Sequence, residues 1–366
     1  MKHRGAQSFT EGRRAGVKIG DRHIGTGGVY VIAELGVNHD GSAARAMELV
    51  DAAGGAGADA IKLQYFETDR LMSKSAKLAA YQKAAGETDP IAMLRRLEMP
   101  IEVMRPLVER AHALGMHAIV TVFSTELVDR AEELAWDAYK TASPDIVHRP
   151  LLDRSARTGK PLIVSTGAAT IEEVTRTVGW LREWRAHDRS ALLQCVSCYP
   201  TEREMAELGG IGALADVFAG PIGYSDHTAS VETGAEAVAA GAAILEKHMT
   251  YSRAAKGPDH AASLEPGEFA RYVAMARGVA GRGPRAGVAG DRVKRVLPIE
   301  EDVRRVSRQS IVAARSLAPG AVLTAADVTI KRPGTGIPAA DYSRVIGRQV
   351  ARTIEADCVI AWEDLA

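Results

Sequence analysis

The sequence predicts a (β/α)8 TIM barrel followed by a small β-rich domain. Eight short apolar runs alternate with helix-like segments over roughly 250 residues, the length and order typical of this barrel. The pattern changes after about Arg277, where short apolar runs are separated by turns such as Pro319-Gly320 and Pro333-Gly334. A doubly wound open sheet is the alternative. The first run, however, continues as Glu34-Leu35-Gly36-Val37-Asn38, where that fold favours a glycine-rich phosphate turn.

The predicted elements follow the chain in order. Residues 17–24 contain a Gly-Asp turn and predict a hairpin that closes the N-terminal end of the barrel. The eight predicted strands are 29–33, 60–63, 117–122, 138–140, 161–164, 192–196, 221–224 and 243–245. We expect a disordered leader over 1–16, the barrel over 17–285, a linker over 286–305 and the small domain over 306–366. A unit of about sixty residues is near the limit for an independent core, so the small domain is expected to dock on another surface.

Composition excludes several classes of function. Lys plus Arg and Asp plus Glu are both 46, so the formal net charge is zero and no nucleic-acid binding is expected. Three Cys residues do not form a disulfide framework, which favours the reducing cytoplasm. No run reaches membrane-spanning length, and the first residues lack the apolar core of a signal peptide.

Two short runs place a histidine at the end of an apolar segment. They are Ser225-Asp226-His227-Thr228 and Glu246-Lys247-His248, and one helix-like segment lies between them. Because parallel strands joined by a helix have their C-terminal ends side by side, the two imidazoles are expected to be neighbours. The sequence therefore predicts a divalent metal at His227 and His248, against the alternative of two packed histidines.

Two lysines lie within apolar runs, where a charge is costly to bury without an anionic partner. Lys62 and Lys140 are accompanied at the predicted strand ends by hydroxyl side chains, which also donate hydrogen bonds to anions. The hydroxyl residues are Thr121, Ser143, Ser165, Ser197 and Ser225. This set suits a ligand that carries both phosphate and carboxylate. The alternative for each lysine is a salt bridge to an internal carboxylate.

Carboxylates at the same strand ends are candidates for acid/base chemistry. Glu34 and Asp145 are candidate acid/base groups or ligands of sugar hydroxyls, or else ordinary hydrogen-bonded barrel carboxylates. Asp259 follows the rigid Gly257-Pro258 pair and is expected either to point into the mouth of the barrel or to be a solvated turn residue. The Cys195-Val196-Ser197-Cys198 run lies on a predicted strand, so we interpret it as structural.

The chain resembles the sialic acid synthases, which include pseudaminic and legionaminic acid synthases, from about Lys18 to its end. Besides the two histidine runs, the resemblance rests on Ala33 to Ser42 and Ile61-Lys62-Leu63-Gln64 among other motifs. The others are Tyr139-Lys140, Ser165-Thr166-Gly167, Tyr199-Pro200-Thr201 and Gly257-Pro258-Asp259. The tail, with Lys331-Arg332-Pro333-Gly334 and Val345-Ile346-Gly347, is similar to the antifreeze-like SAF domain of that family.

The resemblance implies condensation of phosphoenolpyruvate with an N-acylated aldose to a 2-keto-3-deoxy sugar acid and phosphate. It implies a divalent metal at His227 and His248, commonly Mn²⁺, with Mg²⁺ or Co²⁺ as alternatives. Phosphoenolpyruvate would be held by Lys62, Thr121, Lys140, Ser143, Ser165, Ser197 and Ser225. The sugar would be held by Glu34, Gln64, Tyr199, Asp259 and Arg332. The resemblance also implies a domain-swapped homodimer, in which Arg332 reaches the partner subunit's barrel, and Glu34 and Asp145 as catalytic carboxylates beside the histidines.

Several positions depart from the family pattern. Val122 stands where a proline is expected, Ala142-Ser143-Pro144-Asp145 replaces Gly-Ser-Gly-Glu, and Ser197 replaces an asparagine. Tyr65-Phe66 adds bulk near the expected acyl pocket. These departures leave the acceptor sugar open. Two alternatives remain: a related synthase that uses a phosphorylated sugar, which the SAF-like tail disfavours, and a non-catalytic sugar-binding protein.

Overall fold

Eight parallel strands close into a barrel, which confirms the predicted fold class. The computed structural model describes residues 16–282 and 290–366. The leader predicted over 1–16 lies outside the described residues apart from Gly16, and so do residues 283–289 around the predicted start of the linker. Following the N-terminal strands β1 (Val17–Ile19) and β2 (Arg22–Ile24), the barrel consists of β3 (Tyr30–Gly36), β4 (Ala60–Tyr65), β5 (His117–Val122), β6 (Ala138–Thr141), β7 (Leu162–Ser165), β8 (Ser190–Cys195), β9 (Ile222–Asp226) and β10 (Ile244–His248).

Helices cover the outside of the barrel and extend over its mouth. They are α1 (Ala43–Gly55), α2 (Thr68–Leu71), α3 (Ala80–Ala84), α4 (Pro90–Leu97), α5 (Ile101–Ala113), α6 (Leu127–Ala131), α7 (Arg149–Arg157), α8 (Ile171–Glu183), α9 (Gly209–Val217), α10 (Thr233–Ala239), α11 (Pro266–Val279), α12 (Glu301–Ser307) and α13 (Tyr342–Val345). None of the helices in the described residues is long and apolar enough to cross a membrane.

Strand alternation separates a core inside the barrel from the core beneath the helices. On β3, Val31, Ala33 and Leu35 pack in the large outer cluster, whereas Tyr30 and Ile32 pack inside the barrel. The antiparallel hairpin β1–β2 places its apolar side chains in the same inner cluster, so the predicted closure of the N-terminal end is confirmed. The part of the barrel interior between this hairpin and the C-terminal strand ends is lined by polar side chains.

The C-terminal region has its own apolar core and docks on the barrel. Strands β11 (Ser310–Ala313) and β12 (Val328–Lys331) form an antiparallel pair, and their apolar residues pack in a separate cluster. The segment predicted as a linker, 286–305, includes most of the helix α12. The helix is held in place by Val303 and Val306, which pack against Ala79 above the barrel mouth. The predicted domain boundaries themselves stay predictions.

Helices α2 to α4 form a second layer above the C-terminal strand ends. They belong to the long excursion between β4 and α5, and their apolar residues form a separate cluster with Val37, Phe66 and Phe123. The parallel bridge between Met72 and Arg332 joins this layer to the C-terminal domain. The excursion and the domain therefore enclose the mouth of the barrel together.

A buried ion pair on the outer face of the barrel sheet joins β9 and β10, the two strands that lead to His227 and His248. Lys247 on β10 is fully buried, and its Nζ lies 3.5 Å from Asp226 Oδ1 on β9. Asp226 Oδ1 also accepts hydrogen bonds from Thr228 N at 2.9 Å and Thr228 Oγ1 at 2.8 Å. Because neighbouring residues on a strand face opposite sides, this outward pair leaves Glu246 and His248 facing inward.

We predict that Asp226→Ala destabilises the fold by about 3 kcal/mol, because it leaves the Lys247 ammonium buried without its carboxylate. Urea denaturation followed by circular dichroism measures the loss. The matched control is Asp153→Ala, which removes a surface pair with Arg157 at 2.9 Å and is expected to cost less than about 0.5 kcal/mol. Equal stability of the two variants would contradict the structural role of the buried pair.

Candidate active site

A pocket at the C-terminal ends of the barrel strands gathers most of the predicted site residues. The residues that line it and that the sequence indicated are Lys62, Gln64, Thr121, Lys140, Ser143, Ser165, Ser197, Tyr199, Ser225, His227, Glu246, His248, Asp259 and Arg332. Glu34 and Asp145, the two predicted catalytic carboxylates, are fully buried and stand behind this lining. The barrel register explains the gathering, since Glu34 pairs with both Lys62 and His248.

Two lysines and two glutamates are buried together at the base of the pocket. Lys62 Nζ contacts Glu34 Oε2 and lies 3.9 Å from Glu246 Oε2. Lys140 Nζ lies 3.6 Å from Glu246 Oε1. Burial opposes the charged form of Lys62, but Glu246 and Glu34 raise its pKa above the ordinary value. Burial lowers the pKa of Lys140, and Glu246 partly offsets this effect.

Glu246 is thus the shared partner of both lysines, a role that sequence reasoning missed. Its strand-end position was evident, but the pairing depends on the barrel bringing β4, β6 and β10 around a common interior. The sequence left two interpretations of each lysine: an anion-binding group, or one partner of an internal salt bridge. The structure contains the contacts of both, because each lysine lies beside an internal carboxylate and also donates to a predicted hydroxyl. Lys62 Nζ donates to Thr121 Oγ1 at 3.0 Å, and Lys140 Nζ donates to Ser165 Oγ at 2.8 Å.

The two predicted metal ligands lie side by side with free ring nitrogens. The ring centroids of His227 and His248 are 5.5 Å apart. His227 Nδ1 lies 2.7 Å from the Val196 carbonyl oxygen, so its Nε2 is the free nitrogen. His248 Nδ1 is buried without a hydrogen-bond partner among the described residues, and it lies 3.7 Å from Asp259 Oδ2. Burial lowers the pKa of His248 well below its ordinary value, which keeps the imidazole in the neutral form that ligates cations.

Aromatic stacking fixes the orientation of the histidines. The ring centroid of Tyr199 lies 4.0 Å from that of His227 and 5.9 Å from that of His248. Tyr81, on α3, also contacts Tyr199, with ring centroids 5.0 Å apart, and it lines the pocket. Sequence reasoning missed Tyr81, because α3 is a five-residue helix whose pattern carries no periodic signal.

The predicted anion-binding hydroxyls lie at the ends of the barrel strands or on the loops that follow them, and the loops after β6, β7 and β8 approach one another closely. Gly167 N donates to Ser143 Oγ at 3.1 Å. A Cβ at Gly167 would lie only 2.3 Å from Ser197 Oγ, so this position requires glycine. Ser197 Oγ is buried and has no hydrogen-bond partner in the part of the chain that the structure describes. On the opposite side, Ser225 Oγ donates to Glu246 Oε1 at 2.9 Å.

The buried carboxylates contact the pocket through their neighbours. Gln64 Nε2 donates to Glu34 Oε1 at 2.9 Å. Asp145 Oδ1 accepts a hydrogen bond from Gln309 Nε2 at 2.9 Å, while its Oδ2 has no partner within residues 16–282 and 290–366. Burial raises the pKa of Asp145 to about 6. Asp145 therefore keeps one carboxylate oxygen free although it does not line the pocket.

One wall of the pocket is apolar. Phe66 and Phe123 meet edge to face, with centroids 5.8 Å apart. The other members of this wall are Val37, Leu71, Met93, Leu94 and Leu97. Of the bulky pair noted in the sequence, Phe66 lines the pocket, whereas Tyr65 packs in the outer cluster beneath the helices. The sequence period of two assigns them to opposite faces of the strand end.

Arg332 reaches the pocket from the C-terminal domain. Its backbone N donates to Leu71 O at 2.8 Å, and its guanidinium lies 5.7 Å from the centroid of the Phe123 ring. In this single chain the barrel that Arg332 reaches is its own, whereas the resemblance implies the partner subunit's barrel. The exchange of domains between two subunits stays a prediction.

Known proteins resemble this chain over nearly its whole length. Residues 49–282 match the NeuB family, and residues 308–366 match the SAF domain. The chain is 35% identical over 341 residues to N,N'-diacetyllegionaminic acid synthase of Legionella pneumophila. That match covers 92% of this chain and 94% of the Legionella protein. It is 31% identical over 342 residues to human N-acetylneuraminate-9-phosphate synthase, with 91% of this chain and 92% of that protein covered.

The same similarity is found among solved structures. The crystal structure of the spore coat polysaccharide biosynthesis protein spsE of Bacillus subtilis superimposes with a TM-score of 0.81 at 29% identity. The match covers 96% of this chain and 99% of that one. The two proteins therefore share the barrel, the C-terminal domain and the arrangement of the two. The chain belongs to the NeuB family, carries a C-terminal SAF domain, and is similar to the synthases of sialic and legionaminic acids.

Proposed function

We propose that the protein condenses phosphoenolpyruvate with an unphosphorylated N-acylated aldose, giving a 2-keto-3-deoxy sugar acid and phosphate. The observation that carries the proposal is the pairing of Lys62 and Lys140 with hydroxyl groups at the base of a pocket whose opposite wall is apolar. The family relationship supports a sugar acid synthase. The geometry supports the choice of the two substrates.

Phosphoenolpyruvate carries a phosphate and a carboxylate, and the base of the pocket offers donors for both. The two ammonium groups lie 3.9 and 3.6 Å from the Glu246 carboxylate, so an anionic substrate would replace part of their contacts with that group. Hydroxyl groups add directional donors without a phosphate-binding loop. They belong to Thr121, Ser143, Ser165, Ser197 and Ser225.

His227 and His248 would hold a divalent cation, of which Mn²⁺ is our first choice and Mg²⁺ or Co²⁺ the alternatives. The neutral His248 ring with its free Nδ1 and the nearby Asp259 carboxylate fit such an ion. No three His, Cys, Asp or Glu side chains of the described residues form a complete metal site, so water and substrate would supply the other ligands. The bound cation would supply Lewis-acid polarisation of the aldehyde oxygen of the sugar.

The chemistry follows from the charges of the two substrates. C3 of phosphoenolpyruvate attacks the aldehyde carbon and forms the new C–C bond while the carbonyl π bond breaks. The aldehyde oxygen takes that electron pair and a proton from solvent, and positive charge develops at C2. Water adds to C2, and the resulting intermediate loses phosphate by cleavage of its C2–O bond to the phosphoryl group. Asp145 has one free carboxylate oxygen but stands behind the pocket lining, so we propose that it takes the proton of this water through one intervening water molecule. Lys62 and Lys140 stabilise the phosphate and carboxylate throughout.

The apolar wall indicates the class of acceptor. Phe66, Phe123 and the neighbouring Leu and Met side chains suit the methyl of an N-acyl group and offer no donor to a second phosphate. The cations that line the pocket in the described residues are Lys62, Lys140 and Arg332, and both lysines lie beside carboxylates. The related synthase that uses a phosphorylated sugar is therefore the less favoured alternative.

We predict Mn²⁺-dependent release of phosphate from phosphoenolpyruvate with N-acetylmannosamine or a related N-acylated aldose. The unphosphorylated sugar is expected to have the higher kcat/KM than its 6-phosphate, because most of the wall proposed to face the sugar is apolar, with the Arg332 guanidinium as the cation beside it. Preference for the 6-phosphate would favour the alternative synthase. Sugar binding by calorimetry that is independent of metal and phosphoenolpyruvate, with no turnover of any aldose, would favour the non-catalytic protein.

The histidine pair gives a separate prediction that does not depend on turnover. His227→Ala and His248→Ala are each expected to weaken Mn²⁺ binding at least tenfold in calorimetry, since each removes one of the proposed protein ligands. The matched control is His187→Ala, which changes an exposed histidine paired with Asp188 and leaves Mn²⁺ affinity unchanged. Unaltered affinity in both site variants would rule out this metal site.

A further inference from the structure

The chain between the barrel and the SAF domain makes hydrogen bonds to two loops of the pocket. One loop follows β7, whose last residue is Ser165, and the other follows β8 and carries Ser197. The contacting side chains belong to Lys294, Glu300, Arg304 and Arg308. The sequence predicted a linker for the first three of these residues and the start of the small domain for Arg308, and it indicated no functional role for any of them.

Glu300 connects the two loops through a single carboxylate oxygen. Its side chain is 1% exposed. Oε1 accepts hydrogen bonds from Ala168 N at 2.7 Å and from Ser197 N at 2.7 Å. Oε2 accepts from Leu297 N at 2.9 Å, which holds the carboxylate in place. One oxygen therefore fixes the distance between a backbone N–H of the β7 loop and one of the β8 loop.

Ala168 shows how much of the loop conformation depends on this segment. It has φ 48°, the left-handed region that non-glycine residues rarely adopt. While its N–H donates to Glu300, its carbonyl accepts from Arg304 and from Arg308, the latter at 3.0 Å. Both arginines are held by bidentate contacts with Glu173 of α8. Both polar backbone groups of a strained residue are thus bound by the same segment.

Lys294 adds a contact on the β8 side. It is buried, and its Nζ donates to the Cys195 carbonyl oxygen at 3.3 Å. Burial lowers the pKa of Lys294, whereas the carboxylate of Glu300 favours its charged form. The segment therefore contacts the β8 loop before and after Val196, once as a donor and once as an acceptor.

We propose that Glu300 is a positioning residue that sets the spacing of the serine hydroxyls for phosphoenolpyruvate, and that it acts through the backbone of Ala168 and Ser197. This inference rests on the proposed function, since it assigns Ser165 and Ser197 to that substrate. The close packing of Gly167 against Ser143 and Ser197 makes the hydroxyl positions sensitive to any shift of the two loops. The docking of the linker is thereby part of substrate binding.

Two conservative variants of Glu300 distinguish the effect of its side-chain length from the effect of its charge. Glu300→Gln keeps one oxygen that reaches both Ala168 N and Ser197 N, but it removes the charge and the acceptor of Leu297 N. Glu300→Asp keeps the charge but is one methylene too short to reach both. If hydrogen bonding positions the loops, KM for phosphoenolpyruvate rises about tenfold or more in the Asp variant and less than about threefold in the Gln variant. The KM for the sugar changes less than that for phosphoenolpyruvate in both.

The experiment is steady-state kinetics of the full chain with Mn²⁺, with the thermal midpoint of each variant measured in parallel. Asp59→Ala is the matched control: it removes a buried carboxylate that accepts from Val31 N at 2.8 Å at the opposite end of the barrel, and KM is expected to stay unchanged. Should Glu300→Asp fail to fold, Lys294→Met is the second variant, with an expected rise of severalfold in the same KM.

The outcomes separate the two proposals. Failure of the wild-type protein to use phosphoenolpyruvate overturns the proposed function and this inference with it. Turnover by the wild type, with folded Glu300→Asp and Lys294→Met at wild-type KM for phosphoenolpyruvate, overturns the inference alone. A larger rise in the Gln variant than in the Asp variant also overturns it, because charge and not reach would then be decisive.

Discussion

Four charged side chains buried at the base of the barrel mouth are the interaction on which the rest of the site depends. Lys62 and Lys140 are matched by Glu34 and Glu246, so the set is neutral, and no charge is left uncompensated in a region of low dielectric. A barrel provides this arrangement because its closed register brings inward residues of distant strands to one level. The histidines, serines and Tyr199 then surround a pocket floor that is already charged and ordered.

The same neutrality has a consequence for substrate binding. A dianionic or trianionic substrate that approaches the lysines also meets Glu246, so binding must reorganise the contacts of that carboxylate or add positive charge nearby. A cation beside His227 and His248 would supply such charge close to Glu246, which lies two residues before His248 on β10. The proposed need for metal and anionic substrate together thus follows from the electrostatics of the floor.

Much of the fold and the pocket was predictable from the sequence, since strand ends in a barrel are where polar residues interrupt apolar runs. His227, His248 and both lysines were found in this way. What the sequence did not reveal depends on contacts between distant segments. Tyr81 lies on a helix too short for a periodic pattern, and Glu300 lies in a stretch that carried no regular signal. Asp145 was assigned to the pocket, but the turn through Pro144 places it behind the lining.

The central claim is that phosphoenolpyruvate is joined to an aldose with cleavage of its C–O bond. Phosphoenolpyruvate labelled with ¹⁸O at the oxygen that bridges C2 and phosphorus tests this directly, with mass spectrometry of both products. The account predicts that the label is recovered in inorganic phosphate, because water adds to C2 and the bridging oxygen leaves with phosphorus. Label retained in the sugar acid would mean P–O cleavage and would contradict the account.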